Sequence, residues 1–451
     1  MGWRTLLLVD PNTPIGRIRA IHGVNNGPKQ ADMFQDLSAH FKAAAFPDAR
    51  LHDPHYPVRD VVDISAVFPD FSRDPSDPNS YDFLRTDEYL QAIANVGATV
   101  TYRLGYSIDH HHARRYAQPP KDIQKWAQIC AGIVKHYSMG WAGGLPKLVH
   151  RWEIWNEPDQ RPWEKSPCFV GPWDLFFRTY EAAAKAIKAL DPSLIVGGPG
   201  MTQVGTDDGF MTAFLKHQRQ HNAPVDFFTW HIYTAQPDAV VELSRKVRLQ
   251  LDEIGYTKVP TLLTEWHYFP GNDPWGVISN TTPGNGDHQG RSYLHSLMNG
   301  SRSATFTAAT LIKLQDESVE MAHFYLAEPL FYFGLFDSFG SPLPPYDAML
   351  LFSKLMRTPV RLKITTTDEN PQLVWLAGGS EDGKTINVLV ANHSDVYQRV
   401  HISPGQPGKW NYANPATVVG MGSRSEPFDM PDGKAPLPPW TVTLITMQRQ
   451  D

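Results

Sequence analysis

From about residue 20 to residue 350, short apolar runs alternate with stretches in which apolar residues recur every three or four positions. That is the pattern of parallel strands joined by helices. Seven strand candidates stand out: "RAIHGVN", "DARLHD", "TVTYRLG", "HRWEIWNE", "SLIVGGPG", "VDFFTWHIY" and "VPTLLTEWHY". The helices between them are clearer still. After Pro119 and Pro120, the residues Ile123, Trp126, Cys130, Ile133, Val134 and Tyr137 fall on one face, and the prolines sit where a first helical turn tolerates them. The segment "GPWDLFFRTYEAAAKAIKALDPS" repeats the design through Phe176, Tyr180, Ala183, Ala184, Ile187 and Leu190, then stops at Asp191-Pro192. For an eighth strand, "TAATLIKLQDE" is preferred over "EPLFYFGLF". Eight strands with intervening helices predict a (β/α)8 TIM barrel with long loops. A doubly wound open sheet would want a glycine-rich phosphate loop after its first strand, and "HGVNNGPKQ" is not one. Nor is Gly197-Gly198-Pro199-Gly200, which has an internal proline and no Lys-Ser or Lys-Thr behind it.

Beyond about residue 356 the runs become short, β-branched and punctuated by Gly, Asp-Gly and Pro turns, as in an antiparallel β-sandwich. Asp382-Gly383, between "LVWLAGG" and "TINVLVAN", is a strong hairpin signal. The leading "WRTLLLV" is expected to add a strand to this module, with "DPNTPIG" as the link. The division expected is therefore a barrel over 15–352 and a sandwich built from 1–14 and 353–451.

Charge narrows the partners. With 41 basic against 47 acidic residues and no dense basic run, neither nucleic acid nor an anionic membrane is an expected partner. The 13 tryptophans suit a flat, hydroxylated ligand such as an oligosaccharide, although most Trp residues in any enzyme are core. Two cysteines, Cys130 and Cys168, exclude a disulfide scaffold and a cysteine zinc cluster. The apolar run in "MGWRTLLLVDPNTP" is too short for a signal core or a membrane helix, so the expected compartment is cytoplasmic, or periplasmic or secreted where a leader has been removed.

The chemistry concentrates in "HRWEIWNEPDQRP". Alternation along a strand puts Glu153, Trp155 and Glu157 on one face and Trp152, Ile154 and Asn156 on the other. Glu157 stands at the strand's C-terminal end, directly before Pro158, and the C-terminal rim is where barrel enzymes place their reacting groups. Three β/α units later, "VPTLLTEWHYFPG" delivers Glu265 to the same kind of position. Strand ends four and seven can face each other across a barrel mouth. Two carboxyls so placed suit glycosidic bond cleavage, one as proton donor and one acting at the anomeric carbon. Glu153 lies deeper and is read as half of an ion pair with Arg50. Asp109 to His112, "DHHH", lacks a metal-ligand spacing and is read as a substrate loop or surface; no Gly-x-Ser-x-Gly elbow is present.

These residues carry a resemblance. "EIWNEPD" with "LLTEWHY" resembles the clan of retaining glycoside hydrolases that places its acid/base on strand four and its nucleophile on strand seven. Within it the chain most resembles glycoside hydrolase family 39, the β-xylosidase and α-L-iduronidase family, a likeness extending to "RLHD", "DFFTWHIY" and "EPLFYFGLFDSFGSPLPPYDAMLLF". The resemblance implies Glu157 as general acid/base, with its pKa raised by a nearby ionised Glu265, and Glu265 as nucleophile. It implies carboxyls about 5–5.5 Å apart, as retention requires. It also implies that Asn156 holds the sugar's 2-hydroxyl, that Tyr233 donates to Glu265, and that His52 and His231 line the sugar. Trp266, beside Glu265, is a further substrate-binding candidate; rim packing is its ordinary alternative, as it is for Tyr233. A hydrogen-bonded barrel histidine is the alternative for His52 and His231. No cofactor and no metal are expected. Where family β-xylosidases carry a paired acidic motif on the strand-eight loop, this chain has "LQDESVEMAHFYLAEP", so Asp316, Glu317, Glu320 and Glu328 are all candidates to grip the outer hydroxyls. Lys313 is the one cation considered for a uronic acid. The implied activity is a retaining exo-glycosidase, first a β-xylosidase releasing xylose in xylan degradation. An α-L-arabinofuranosidase, a β-glucosidase, an endo-acting exopolysaccharide hydrolase and, last, a non-catalytic carbohydrate-binding barrel are the alternatives.

Overall fold

The computed structural model describes residues 5–30, 35–111, 113–271, 288–328, 332–367, 370–405, 410–413, 416–420, 426–428 and 431–450. Strand β1 (Thr5–Arg17) is followed by β2 (His22–Asn25), β3 (Asp48–Leu51), β4 (Thr99–Leu104), β5 (Val149–Ile154), β6 (Val196–Met201), β7 (Phe227–Thr234), β8 (Thr261–Tyr268) and β9 (Val319–Phe324). β2 to β9 pair in parallel in chain order, and β9 pairs back onto β2 to close an eight-stranded barrel. All seven strand candidates in the first 270 residues overlap a barrel strand.

The eighth strand differs from expectation. "TAATLIK" belongs to a helix, Ser301–Lys313, and the strand is the following Val319–Phe324. Every side chain from Ser303 to Ile312 is buried, because one side of this helix backs the barrel and the other meets the second sheet. A helix buried all round has no polar face, and its β-branched threonines and isoleucine mimic a strand.

The helices follow their apolar stripes. Helix Ile123–Met139 starts at Asp122, whose carboxylate accepts the Lys125 backbone N–H at 3.0 Å, and ends at Gly140 with φ +74°. It buries Trp126, Cys130, Ile133, Val134 and Tyr137, each large apolar side chain contributing about 1.5–3 kcal/mol relative to exposure.

The remaining strands are β10 (Val360–Thr366), β11 (Leu373–Gly379), β12 (Thr385–Asn392), β13 (Gln398–Pro404), β14 (Trp410–Tyr412), β15 (Ala416–Val419), β16 (Glu426–Phe428), β17 (Lys434–Leu437) and β18 (Thr441–Arg449). With β1 they form one ten-stranded sheet over its own apolar core, which includes Leu7, Val9, Val388, Val400, Ile402 and Ile445. Its pairings are antiparallel except β1 with β13, which is parallel; the N-terminal strand inserts between β10 and β13. Thus "TLLLV" does join this module, but "DPNTPIG" is no link: the strand runs on through it to Arg17 along β10, so the sheet extends past the expected boundary at residue 15; residues 1–4 lie outside the described residues. The sheet braces the helix behind β8: His393 links to Thr305 Oγ1 at 3.0 Å and to the Ala235 carbonyl at 3.1 Å, and Arg302 stacks 4.7 Å from the Trp440 ring centre.

No helix among the described residues is long and apolar enough to cross a membrane.

Candidate active site

The site is built at the C-terminal ends of β3, β5, β7 and β8. β5 ends at Ile154, and the next residues abandon strand geometry: Trp155 has φ +75° and Glu157 φ +46°. The expected alternation therefore breaks. Trp155 does not share a face with Glu153. Its indole packs outward among Trp126, Phe169 and Phe176 and donates to the Cys168 carbonyl at 3.0 Å. The turn lets Asn156 and Glu157, consecutive residues, both reach the buried cluster inside the mouth. Opposite them Gly200 takes φ +65°, a left-handed conformation that favours glycine.

Arg50, carried on β3, joins the parts. It donates from Nε to Glu153 Oε2 at 2.6 Å, from Nη1 to Glu265 Oε1 at 2.7 Å, and from Nη2 to Asn156 Oδ1 at 2.7 Å. The ion pair with Glu153 is the one anticipated; the contacts with Glu265 and Asn156 are not. Glu265 Oε2 accepts the Tyr233 hydroxyl at 2.6 Å. His231 Nδ1 lies 2.9 Å from Glu157 Oε1 and 3.6 Å from Glu265 Oε2, and its Nε2 is 3.2 Å from Thr264 Oγ1. The three groups present one atom each within 4.8 Å of one another. Gln160 donates its side-chain amide to Glu157 Oε2, and the Cys168 thiol lies 3.9 Å from the same oxygen.

The two glutamates sit in different electrostatic settings. Burial pushes the Glu157 carboxyl up to about 7, against the Gln160 amide and the Arg50 charge. Burial rather than repulsion by Glu265, the expected origin, is the dominant cause. Burial raises Glu265 as well, but Arg50 and the Tyr233 hydroxyl both oppose it by direct contact with the carboxylate. Two strong donors on one carboxylate make Glu265 the better-held anion. Burial also drives His231 down to about 4 and His52 well below the usual histidine range, so both rings are neutral at ordinary pH.

His52 is fully buried, with both ring nitrogens unbonded, 3.8 Å from Glu265 Oε1 and 3.5 Å from Asp53 Oδ1. Buried polar atoms without partners at a site are what a polar ligand satisfies. Tyr325 adds to the same wall, donating to Asp53 Oδ2 at 3.1 Å, with Phe333 packed against both Tyr325 and Tyr233.

Several expectations need correction. Trp266 does not face the site: it is fully buried against Phe306 and Phe324, on the side of the strand opposite the inward Glu265. Of the four acidic candidates near the last strand, Asp316, Glu317 and Glu320 belong to the opposite end of the barrel, before or at the start of β9. There they pair with Arg361, Arg245 and Arg151. Only Glu328 follows β9; it is buried and accepts the His55 backbone N–H at 3.1 Å. Lys313 likewise precedes β9 and is paired with Asp238 at 2.7 Å. Asp109 ties its own loop by accepting from the backbones of His111, Tyr116 and Ala117; His112 lies outside the described residues.

Arg50, Gln160, Thr264 and Cys168 escaped the sequence reading as members of the site. Only Arg50 had a signal, as an arginine inside an apolar strand run beside a buried glutamate.

The family model for glycosyl hydrolases family 39 matches residues 32–258, a segment that contains Glu157 and stops short of Glu265. A β-xylosidase from Geobacillus stearothermophilus is 30% identical over 181 residues, which is 34% of this chain and 33% of that protein. A β-xylosidase from Caldicellulosiruptor saccharolyticus is 22% identical over 352 residues, 70% of this chain and 64% of that one. The chain thus spans between a third and just under two thirds of the length of these curated relatives. The crystal structure of a glucosidase from Croceicoccus marinus superposes over 100% of both chains, with a TM-score of 0.76 and 24% identity, which speaks to the fold.

Proposed function

Because the chain belongs to glycosyl hydrolases family 39, we propose that it is a retaining exo-glycoside hydrolase that releases terminal β-xylose from short xylo-oligosaccharides, with Glu157 as acid/base and Glu265 as nucleophile. The observation that carries the reading is the close pair: a carboxylate oxygen of each glutamate within 4.8 Å, one in contact with the Arg50 guanidinium and the Tyr233 hydroxyl and the other pushed up to about 7 by burial. Such an approach suits double displacement, whereas inversion separates its carboxyls by about 6.5–9.5 Å to admit a water between them.

The steps follow from the contacts. Glu157, protonated below about pH 7, gives its proton to the glycosidic oxygen as that bond to the anomeric carbon breaks. Glu265 Oε attacks the same carbon from the opposite face and forms a glycosyl ester; Arg50 and Tyr233 hold it aimed and unprotonated. The charge of the oxocarbenium-like state develops next to this anion, where attraction in a water-poor site is strongest. Glu157, now a carboxylate, is supported by Gln160 and by a His231 Nδ1–H, and takes a proton from water as the water oxygen attacks the anomeric carbon and the ester bond to Glu265 breaks, which releases the sugar and returns Glu265 as a carboxylate. Arg50 holds the Asn156 Oδ1, which leaves Nδ2, 4.0 Å from the Cys168 Sγ, as the donor toward the sugar's 2-hydroxyl. His52 offers a neutral ring to a second hydroxyl. The reading assigns catalysis to the barrel of β2 to β9 and a bracing role to the ten-stranded sheet formed by β1 and β10 to β18.

Turnover of aryl β-xyloside, aryl α-L-arabinofuranoside and aryl β-glucoside, measured side by side, tests the proposal. The expected result is the highest kcat/KM on the β-xyloside. Silence on all three would remove the exo reading, and a β-glucoside or arabinofuranoside preference would reassign the sugar while leaving the two glutamates in place.

A further inference from the structure

A second set of metal-ligating side chains lies far from the barrel mouth, on the outer helical layer. His217 and His221 are four residues apart at the end of helix Phe210–Gln220, and Glu181 reaches them from helix Trp173–Leu190. His217 Nε2 and His221 Nδ1 each stand 3.1 Å from the same oxygen, Glu181 Oε2, and the three ligand atoms fall within 4.8 Å of one another. Neither histidine touches Glu157 or Glu265, and no step above uses them.

We propose that Glu181, His217 and His221 form a surface site for a divalent transition-metal ion of the zinc class. Two histidines at i and i+4 on one helix face, completed by a carboxylate, are a three-ligand set for zinc, with water free to take the fourth place. His221 supplies the opening, since its side chain is 47% exposed while His217 and Glu181 are each 17% exposed. The spacing suits the ion: four ligands at about 2.0–2.1 Å in a tetrahedron stand about 3.3 Å from one another, so the present 3.1 Å edges need to open by only a few tenths of an ångström. The supports for such a site are already present. Lys185 Nζ holds the other Glu181 oxygen at 2.7 Å, which turns Oε2 toward the rings, and the Phe177 ring packs 5.6 Å from that of His217. The two imidazoles stack 4.2 Å apart at 13°, and each now meets Oε2 through a ring nitrogen. Binding requires the proton to sit on the other nitrogen of each ring and His221, at the helix terminus, to rotate toward the ion. The ion would then clip the two helices together.

The test is zinc titration of the chelator-treated full chain by calorimetry and by thermal unfolding. The expected result is one ion per chain and a Tm that climbs with free Zn²⁺, both lost in the His217→Ala/His221→Ala double variant and weakened at least tenfold in Glu181→Gln. Hydrolysis by the metal-free variants should match the parent. The single variant His221→Ala, at a half-exposed helix end, keeps the test open should the double variant fold poorly. Absence of zinc binding by the parent chain, or binding that survives loss of both histidines, overturns the proposal. Zinc that binds only at Glu157, His231 and Glu265 would reveal itself as inhibition unaffected by the substitutions, and would overturn it equally.

Discussion

The ends of β5 and β8 start from the same recipe, an apolar run that finishes in a glutamate beside an aromatic residue, and arrive at opposite results. β8 continues as a strand through Tyr268, with its register shifted at Thr264 against β7 and between Leu263 and Trp266 against β9, and Glu265 points inward onto Arg50 and Tyr233. β5 stops three residues before its glutamate, and left-handed geometry at Trp155 and Glu157 swings Asn156 and Glu157 together into the mouth. Glu265 receives a guanidinium and a phenol, whereas Glu157 receives an amide and a neutral imidazole. The lesson is that the residue type does not decide which carboxyl keeps its proton; the donors brought by neighbouring strands do.

The largest test of this contrast removes each carboxyl in turn. Glu265→Ala is expected to lower kcat on an aryl β-xyloside by about 10⁴-fold or more, and added azide should restore turnover with an inverted glycosyl azide. Glu157→Ala is expected to lose about 10²–10⁴-fold, less on aglycones that leave without protonation, and azide should there yield the retained product. The opposite pairing of products would swap the two roles.

A smaller effect should appear in the pH profile. The alkaline limb of kcat/KM is expected near pH 7, where Glu157 loses its proton. The Gln160 amide stabilises the Glu157 anion, so Gln160→Leu should move that limb upward by about one pH unit. Tyr233→Phe removes a donor from the Glu265 anion and should instead raise the acid limb. If Gln160→Leu moved the acid limb alone, the separation of the two environments would be wrong.

The smallest effect concerns stability. A carboxyl whose folded pKa is about 7 and whose ordinary value is 4.5 binds its proton more tightly in the folded state, so its contribution is full below about pH 4.5 and is lost as pH rises through 7. Glu157→Gln is therefore expected to match the parent's Tm at pH 4 and to exceed it by a few degrees at pH 8. Equal Tm values at both pH values would show that Glu157 ionises freely in the fold.

Sequence carried the barrel well where one period ruled, as in the helix stripes from Ile123 to Tyr137 and from Phe176 to Ile187. It misled at the helix Ser301–Lys313, whose second face is covered by a sheet assembled from distant segments, β11, β12 and β18. It also missed the parallel placement of β1 beside β13, a pairing between residues almost 400 positions apart that no local pattern encodes. At the site, strand ends marked the two glutamates, whereas Asn156, Tyr233, His52 and His231 came from the resemblance to family 39; the structure gathers all six around the Arg50 cluster. Trp266 stays outside it, since proximity to Glu265 in sequence means the opposite face of the sheet. Arg50 showed only half of its part, because which strands a guanidinium fork spans depends on barrel closure.

That fork has a consequence for how such a site can change over generations. Arg50 binds Glu153, Glu265 and Asn156 at once, so three strands share one side chain and none of the four residues can be replaced without altering the surroundings of the others. Losing Arg50 alone would strand Glu153 in the barrel interior as an unpaired charge, a change that costs about 3–5 kcal/mol. Drift toward another sugar must therefore begin at the periphery, among residues such as Glu328 and His55, while the centre stays fixed or changes as a block.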